Sequence, residues 1–237
     1  MNSNNKKTKG MSYNSEELYP NQQMLSSSQF RMYKRDPSEF FKRYVLGVKN
    51  PRFDKSEAIH FGRVLAATFE DEDFDWRTAF DEFNDGKGIR PYRLYDLLPE
   101  AIEKLPSIPT ELCEFSLKAQ HEDWVYRATL DAFVPDMKSI IEVKSGQLEW
   151  TQERVDNADQ LTFAAWCYWK INKELPELIR LFWVDTGANP ERTIQTFDTE
   201  RTEKQLEDFT EQLETVVHGI ETKHWTKPVL ETVQTYY

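Results

Sequence analysis

Asp131, Glu142 and Lys144 are the residues whose types and spacing could do chemistry. They lie within Leu130 to Gly146, a stretch that reads as two apolar-rich strands joined by a tight polar turn. Side chains alternate along a strand, so Glu142 and Lys144, two residues apart, project from one face. A turn centred near Met137 sets Asp131 opposite Glu142 across an antiparallel ladder, where facing Cβ atoms lie about 5 Å apart. Two acids and a lysine crowded into one patch cost stability unless a cation or a hydrogen-bond network compensates them. The patch is therefore expected to hold a hard divalent metal. A cross-strand ion-pair cluster, which contributes little stability, is the plainer alternative. Asp136, beside Pro135, is the more conspicuous acid, but the same register puts it at the hairpin tip, away from Glu142.

The elements that must position this hairpin follow from periodicity. Leu112 to Gln120 alternates apolar Cys113, Phe115, Leu117 and Ala119 with polar neighbours, which predicts a half-exposed strand. Trp124 to Val134 and Ser139 to Ser145 complete an antiparallel meander with it. Glu149 to Asn172 predicts one long helix. Leu178 to Asp185 predicts a strand buried on both faces, as a parallel neighbour reached through a helix requires. Arg192 to Phe197 is an expected edge strand after a turn at Gly187 to Pro190, and Glu200 to about His224 carries a helical apolar stripe.

Upstream, Ser26-Ser27-Ser28 is a run of candidate N-caps for a helix over Gln29 to Arg35. Asp36-Pro37 restarts the helix as N-cap and first residue. Further helices are expected over Glu57 to Asp71, Trp76 to Phe83 and Leu94 to Leu105, the last two flanking a loop at Gly86 and Gly88. The resulting class is α/β, with an αβββαβ core, a mixed central sheet flanked by helices, and extra N-terminal and C-terminal helices. Residues 1–24 are expected to form a disordered tail and 25–237 a single domain. Within it, 25–105 is helical, 111–198 holds the sheet and crossover helix, and 200–224 is the final helix.

At 237 residues with 14% aromatics, the chain can bury one sizeable core. The net charge of −11 argues against general, charge-driven nucleic-acid binding. The charge is uneven, however: nine lysines and arginines against four acids leave residues 1–50 at +5 and the remainder at −16. A basic section beside an acidic metal site suits an enzyme that handles a polyanion. Lys34, Arg35, Lys42 and Arg43 are the candidate phosphate contacts, with a solvated helix face as the alternative. Cys113 and Cys167 form no paired-cysteine motif, so neither a disulfide framework nor a zinc or iron–sulfur site is expected. The longest apolar stretch, Leu161 to Trp169, is too short to span a bilayer. A soluble, cytoplasmic protein with no membrane partner is expected.

The element order, with Asp131 followed by Glu142-Val143-Lys144, resembles the PD-(D/E)XK nuclease superfamily and its restriction-endonuclease-like fold. Three further stretches are similar to its RecB-like exonuclease branch. Leu25 to Phe30 followed by Asp36 to Phe41 looks like its serine-led opening, Phe61-Gly62 to Glu70 like its first catalytic helix, and Gln160-Leu161 like its glutamine motif. The resemblance implies a Mg²⁺- or Mn²⁺-dependent deoxyribonuclease acting on single-stranded DNA or duplex ends, as an exonuclease in recombination, repair or phage DNA processing. A recombination or replication protein is an implied partner. It further implies Asp131, Glu142 and the Val143 carbonyl as metal ligands. Lys144 would then act on the attacking water or the phosphorane, and Gln160 would position Lys144 or a phosphate.

Three departures from the branch stand in the sequence. Asp36 occupies the place of a cluster cysteine before the proline, so no iron–sulfur cluster is implied. Ala164 stands where an aromatic follows the glutamine. Ala66 stands where a histidine is usual, and His60 lies on a different part of the helix; Glu70, one turn beyond Ala66, is the acid that could still reach the metal. A catalytically silent nucleic-acid-binding protein and a sequence-specific endonuclease are therefore the competing readings.

Overall fold

The computed structural model describes residues 23–48, 57–71, 73–84, 97–187 and 194–226. Among the described residues six strands form one mixed sheet: β1 (Gln23–Ser26), β2 (Cys113–His121), β3 (Trp124–Val134), β4 (Ser139–Gly146), β5 (Leu178–Asp185) and β6 (Ile194–Thr199). β2, β3 and β4 are the expected antiparallel meander, β5 runs parallel to β4, and β6 closes the edge antiparallel to β5.

β3 organises the sheet. β2 pairs with one edge of it from Trp124 to Ala132. The other edge is shared end to end, by β1 along Trp124 to Arg127 and by β4 along Ala132 to Val134. Residues 128–131 fall in the gap between those two partners, and Asp131 is the last of them. The β3–β4 register, Ala132 with Ile141 and Val134 with Ser139, carries on to set Asp131 against Glu142, but the two strands part there and the ladder stops. On the β2 side Glu114, the residue facing Asp131, has φ +45° and leaves the pairing. That left-handed backbone is strained for a side chain with a Cβ. The side-chain alternation changes phase at the same level. Leu130 belongs to the core under the crossover helix, whereas Ala132 packs with Phe69, Ile141 and Phe182 on the opposite face.

One face of the sheet is covered by α7 (Asp159–Asn172), α8 (Glu203–Glu221) and α1 (Ser27–Arg35). Phe30, Phe163, Phe209, Tyr126 and Trp166 are almost wholly buried there, with Phe30 5.1 Å from Phe209 and Tyr126 4.8 Å from Trp166 between ring centroids. Edge-on aromatic contacts of this kind add to the area they bury. α3 (Glu57–Glu70), α4 (Trp76–Asn84) and α5 (Leu97–Lys104) cover the opposite face with a smaller cluster around Phe61, Leu65, Phe80 and Leu98. No helix among the described residues is long and apolar enough to cross a membrane.

Three expectations are corrected. Gln23 and Met24, assigned to the tail, belong to β1, because a short strand can satisfy its backbone on the open edge of β3. The long helix over Glu149 to Asn172 is two helices, α6 (Gln152–Asp156) and α7. Asn157 turns its side-chain amide back to the Glu153 carbonyl, and Ala158 has extended backbone, φ −73° and ψ 110°. Gln160 consequently lies in the first turn of α7. The final helix starts at Glu203, where Thr202 and Gln205 form a capping box; of the helix expected over Leu94 to Leu105, Leu97–Lys104 is helical and Leu94 to Asp96 lie outside the described residues. The expected tail over residues 1–22, the loop at Gly86 and Gly88, and most of the turn at Gly187 to Pro190 lie outside the described residues.

Candidate active site

Where β3 and β4 part, the backbone of β4 needs a new partner. The Asp131 carboxylate supplies it, its Oδ2 accepting from the Val143 N–H at 2.6 Å. The aspartate thus replaces a rung of the ladder and is fixed in place by the strand it bonds. Glu142 and Lys144 share the face of β4 turned toward α7, as their spacing predicts. The Lys144 ammonium donates to Glu142 Oε1, and the Gln160 side-chain amide donates to the same oxygen. Gln160 Oε1 in turn accepts from Arg31 Nη1 at 2.8 Å. The glutamine's partner is Glu142, where sequence reasoning expected Lys144 or a phosphate.

Charge is compressed at this place. Glu142 is 2% exposed. Burial pushes its carboxyl up to about 7; the nearby Asp131 charge adds to this, and Lys144 works against it. Burial also opposes the charge of Lys144, but Glu142 and Asp131 outweigh it and hold the ammonium above its ordinary range. Glu70, at the end of α3, is raised by burial and by the charges of Glu114 and Asp131. The Cys113 thiol is pushed up to about 11 by burial, with Glu70 and Asp131 adding to it. Asp131 is the group that all four of these share.

On the α3 side lies a cavity of about 30 Å³, lined by Gly62, Leu65, Ala66, Phe69, Glu70, Asp131, Val143 and Ser145. That is room for a water or a small ion. Ala66 and Glu70 both reach it, as one helical turn between them requires. His60 does not: its Nε2 lies 3.2 Å from the Ala79 carbonyl and its ring packs on Phe80 of α4. Glu142 is not part of the lining. The expected acids therefore split, with Asp131 and Glu70 at the cavity and Glu142 bonded to Lys144 and Gln160. Among the described residues, the trio of His, Cys, Asp or Glu whose ligand atoms converge within 4.8 Å is instead His121, Glu122 and Glu214, at the far end of the β2–β3 hairpin.

By donor type the residues suit a hard cation, with Glu70, Asp131 and Val143 at the cavity and Glu142 outside its lining. Glu70, Asp131, Glu142 and the Val143 carbonyl offer oxygen alone, and carboxylates that raise one another's proton affinity are what a divalent ion relieves. The cysteines offer no alternative. Cys167 is buried, 3.6 Å from the Tyr126 carbonyl, and two thiols fall short of the four an iron–sulfur cluster takes.

The expected DNA-contacting residues are placed on α1 and just beyond it. Lys34 is paired with Asp159 at 2.9 Å and also reaches Gln212, Arg43 is paired with Glu39 at 2.6 Å, and Arg35 lies 3.5 Å from the Met32 sulfur. Lys42 is exposed in the single π-turn Phe41–Val45. Asp136 is exposed at the hairpin tip, in the turn Pro135–Met137. Sequence reasoning missed Arg31, because nothing in a helix face reveals a bond to a residue 129 positions away. The left-handed backbone of Glu114 likewise leaves no local sequence mark.

The fold defines the class of the molecule first. It is an α/β protein with a mixed central sheet flanked by helices, and a solved structure shares that fold: a protein from Eubacterium rectale, provisionally assigned as an exonuclease. The two superpose with a TM-score of 0.53 at 12% identity, over 95% of this chain and 96% of the other. The structure of SSO0001 aligns over 79% of this chain and 86% of its own with a TM-score of 0.34 and 12% identity. No family model and no curated protein matches the sequence. What the chain shares with the bacterial protein is a fold.

Proposed function

We propose that this chain is a divalent-metal-dependent deoxyribonuclease, a RecB-like exonuclease centred on the parting of β3 and β4. The observation that carries the reading is that, at that break in the sheet, Asp131 accepts from the Val143 N–H between Glu142 and Lys144, which bond each other and, through Glu142, Gln160. The likeness in fold to a protein assigned as an exonuclease supports it.

Glu70, Asp131, Glu142 and the Val143 carbonyl would hold one Mg²⁺ or Mn²⁺, which when bound supplies Lewis-acid neutralisation of phosphate charge. The protein's own groups do the rest. Asp131, tied to the Val143 N–H, keeps β3 and β4 at a fixed separation. Lys144 is the side-chain cation bonded to Glu142. Held against Glu142, its ammonium would be placed to orient the attacking water or to meet charge on the phosphorane. Gln160 retains Glu142 and keeps its carboxylate from swinging with the lysine. Lys34, Arg35, Lys42 and Arg43, on α1 and just beyond it, would contact DNA phosphates, Lys34 and Arg43 by exchanging their carboxylate partners.

End-labelled linear DNA incubated with Mg²⁺ or Mn²⁺ tests the reading beside a Lys144→Ala control. Shortening of labelled strands by the wild type alone is expected, and equal degradation by both proteins rejects it. One observation favours a second reading, a catalytically silent nucleic-acid binder: Ala66, with no polar group, lines the same cavity as Asp131 and Glu70. Ala66→His decides between them, since a gain of cleavage from an inert parent indicates a centre that has lost one group.

A further inference from the structure

Gln160 could present either end of its amide to the Glu142–Lys144 pair. Its NH₂ can donate to the carboxylate, and its oxygen can accept from the ammonium; the two orientations differ by a flip of the side chain. The structure shows the first, and the reason lies outside the site. Arg31 Nη1 donates to Gln160 Oε1 at 2.8 Å. A guanidinium has donors only, so it engages the amide oxygen and never the NH₂. With the oxygen held, the NH₂ faces Glu142, where it joins Lys144 on Oε1. The placement of Arg31 is itself fixed. α1 starts at the N-cap Ser26, packs Phe30 against Phe163 of α7, and ties Lys34 to Asp159, the residue before Gln160. The split between α6 and α7 brings Gln160 into the first helical turn, within reach of α1.

We propose that Arg31 is a positioning residue for the candidate centre: it locks the amide orientation of Gln160 and thereby keeps Lys144 and Glu142 together. Without it, the amide turns over and accepts from Lys144, drawing the ammonium off Glu142. The inference rests on the nuclease reading for its consequence in catalysis, while the amide orientation itself can be read separately.

Arg31→Ala and Arg31→Lys are compared in cleavage assays, with thermal unfolding as the check on folding. Loss of a group that orients a site residue costs 10- to 100-fold in activity. Arg31→Ala is expected to lower kcat by about that factor, with KM within about threefold of the wild type. Arg31→Lys, still a donor-only cation, is expected to recover most of the rate. A raised KM with unchanged kcat makes Arg31 a substrate-binding cation and overturns the proposal. So does a fall in kcat in both variants that tracks a loss of thermal stability. The second readout is independent of activity: the Gln160 side-chain NH₂ resonances, assigned by their loss in Gln160→Ala. Slow solvent exchange in the wild type and fast exchange in Arg31→Ala are expected; equal exchange in both overturns it. If the wild type cleaves nothing, the nuclease reading fails while the exchange measurement still decides the role of Arg31.

Discussion

The two faces of the sheet are built to different standards. Under α7, α8 and α1, Phe30, Phe163, Phe209, Tyr126 and Trp166 interlock with almost no exposure. Under α3, the cluster around Phe69 is small, a cavity opens beside Asp131, and Glu70 and Asp131 repel. The dense face anchors Gln160, which holds Glu142, while the loose face leaves oxygen atoms around a space. A site that must take up a cation and a phosphate needs both: a rigid wall to fix the groups and an unfilled region to receive the ligand.

Truncation should expose this difference first. Phe163→Ala is expected to cost about 3–5 kcal/mol in urea unfolding, as a fully buried aromatic does. Phe69→Ala, beside the cavity, is expected to cost distinctly less, because its surroundings are already incompletely packed. Equal losses would break the comparison. Lys144→Ala comes next: cleavage is expected to fall by about 10²–10³-fold, the loss of about 3–4 kcal/mol of transition-state stabilisation, with little change in unfolding temperature.

Two glycines sharpen the comparison further, one on each side. At Gly219 an added Cβ would collide with the Tyr33 hydroxyl, which cannot easily yield because it donates to the His224 carbonyl at 2.7 Å. Gly219→Ala is expected to destabilise by about 1–3 kcal/mol. At Gly62 the Cβ would lie 2.9 Å from Ser145 Oγ, a hydroxyl that can rotate away. The gain in helix propensity offsets the crowding, so Gly62→Ala is expected to change stability by less than about 1 kcal/mol. Its cleavage rate should fall more than its stability, since Gly62 and Ser145 both line the cavity.

Much of this was legible in the sequence because it depends on local pattern. Period-two alternation marked β2, β3 and β4, and the apolar-rich run marked β5, so the class and the register that sets Asp131 rather than Asp136 against Glu142 followed directly. What stayed hidden was non-local. β1 is four residues long and exists because β3 has an open edge. The phase change at Glu114 and Asp131 is a tertiary adjustment with no glycine or proline to announce it. Arg31 looked like one more exposed cation, and Lys34 and Arg43 looked free, until folding supplied Gln160, Asp159 and Glu39 as partners. The separation of Glu142 from the cavity holding Asp131 and Glu70 was equally unreadable from spacing, which sets the face of a strand but not where two strands part.

Calorimetric titration of Mn²⁺ into the wild type and Asp131→Asn tests the metal centre most directly. Asp131 is the charge shared by Glu70, Glu142, Lys144 and Cys113. Saturable binding by the wild type that is lost in Asp131→Asn is the expected result. Equal affinity in the two proteins, or no binding to either, would contradict a metal centre where β3 and β4 part.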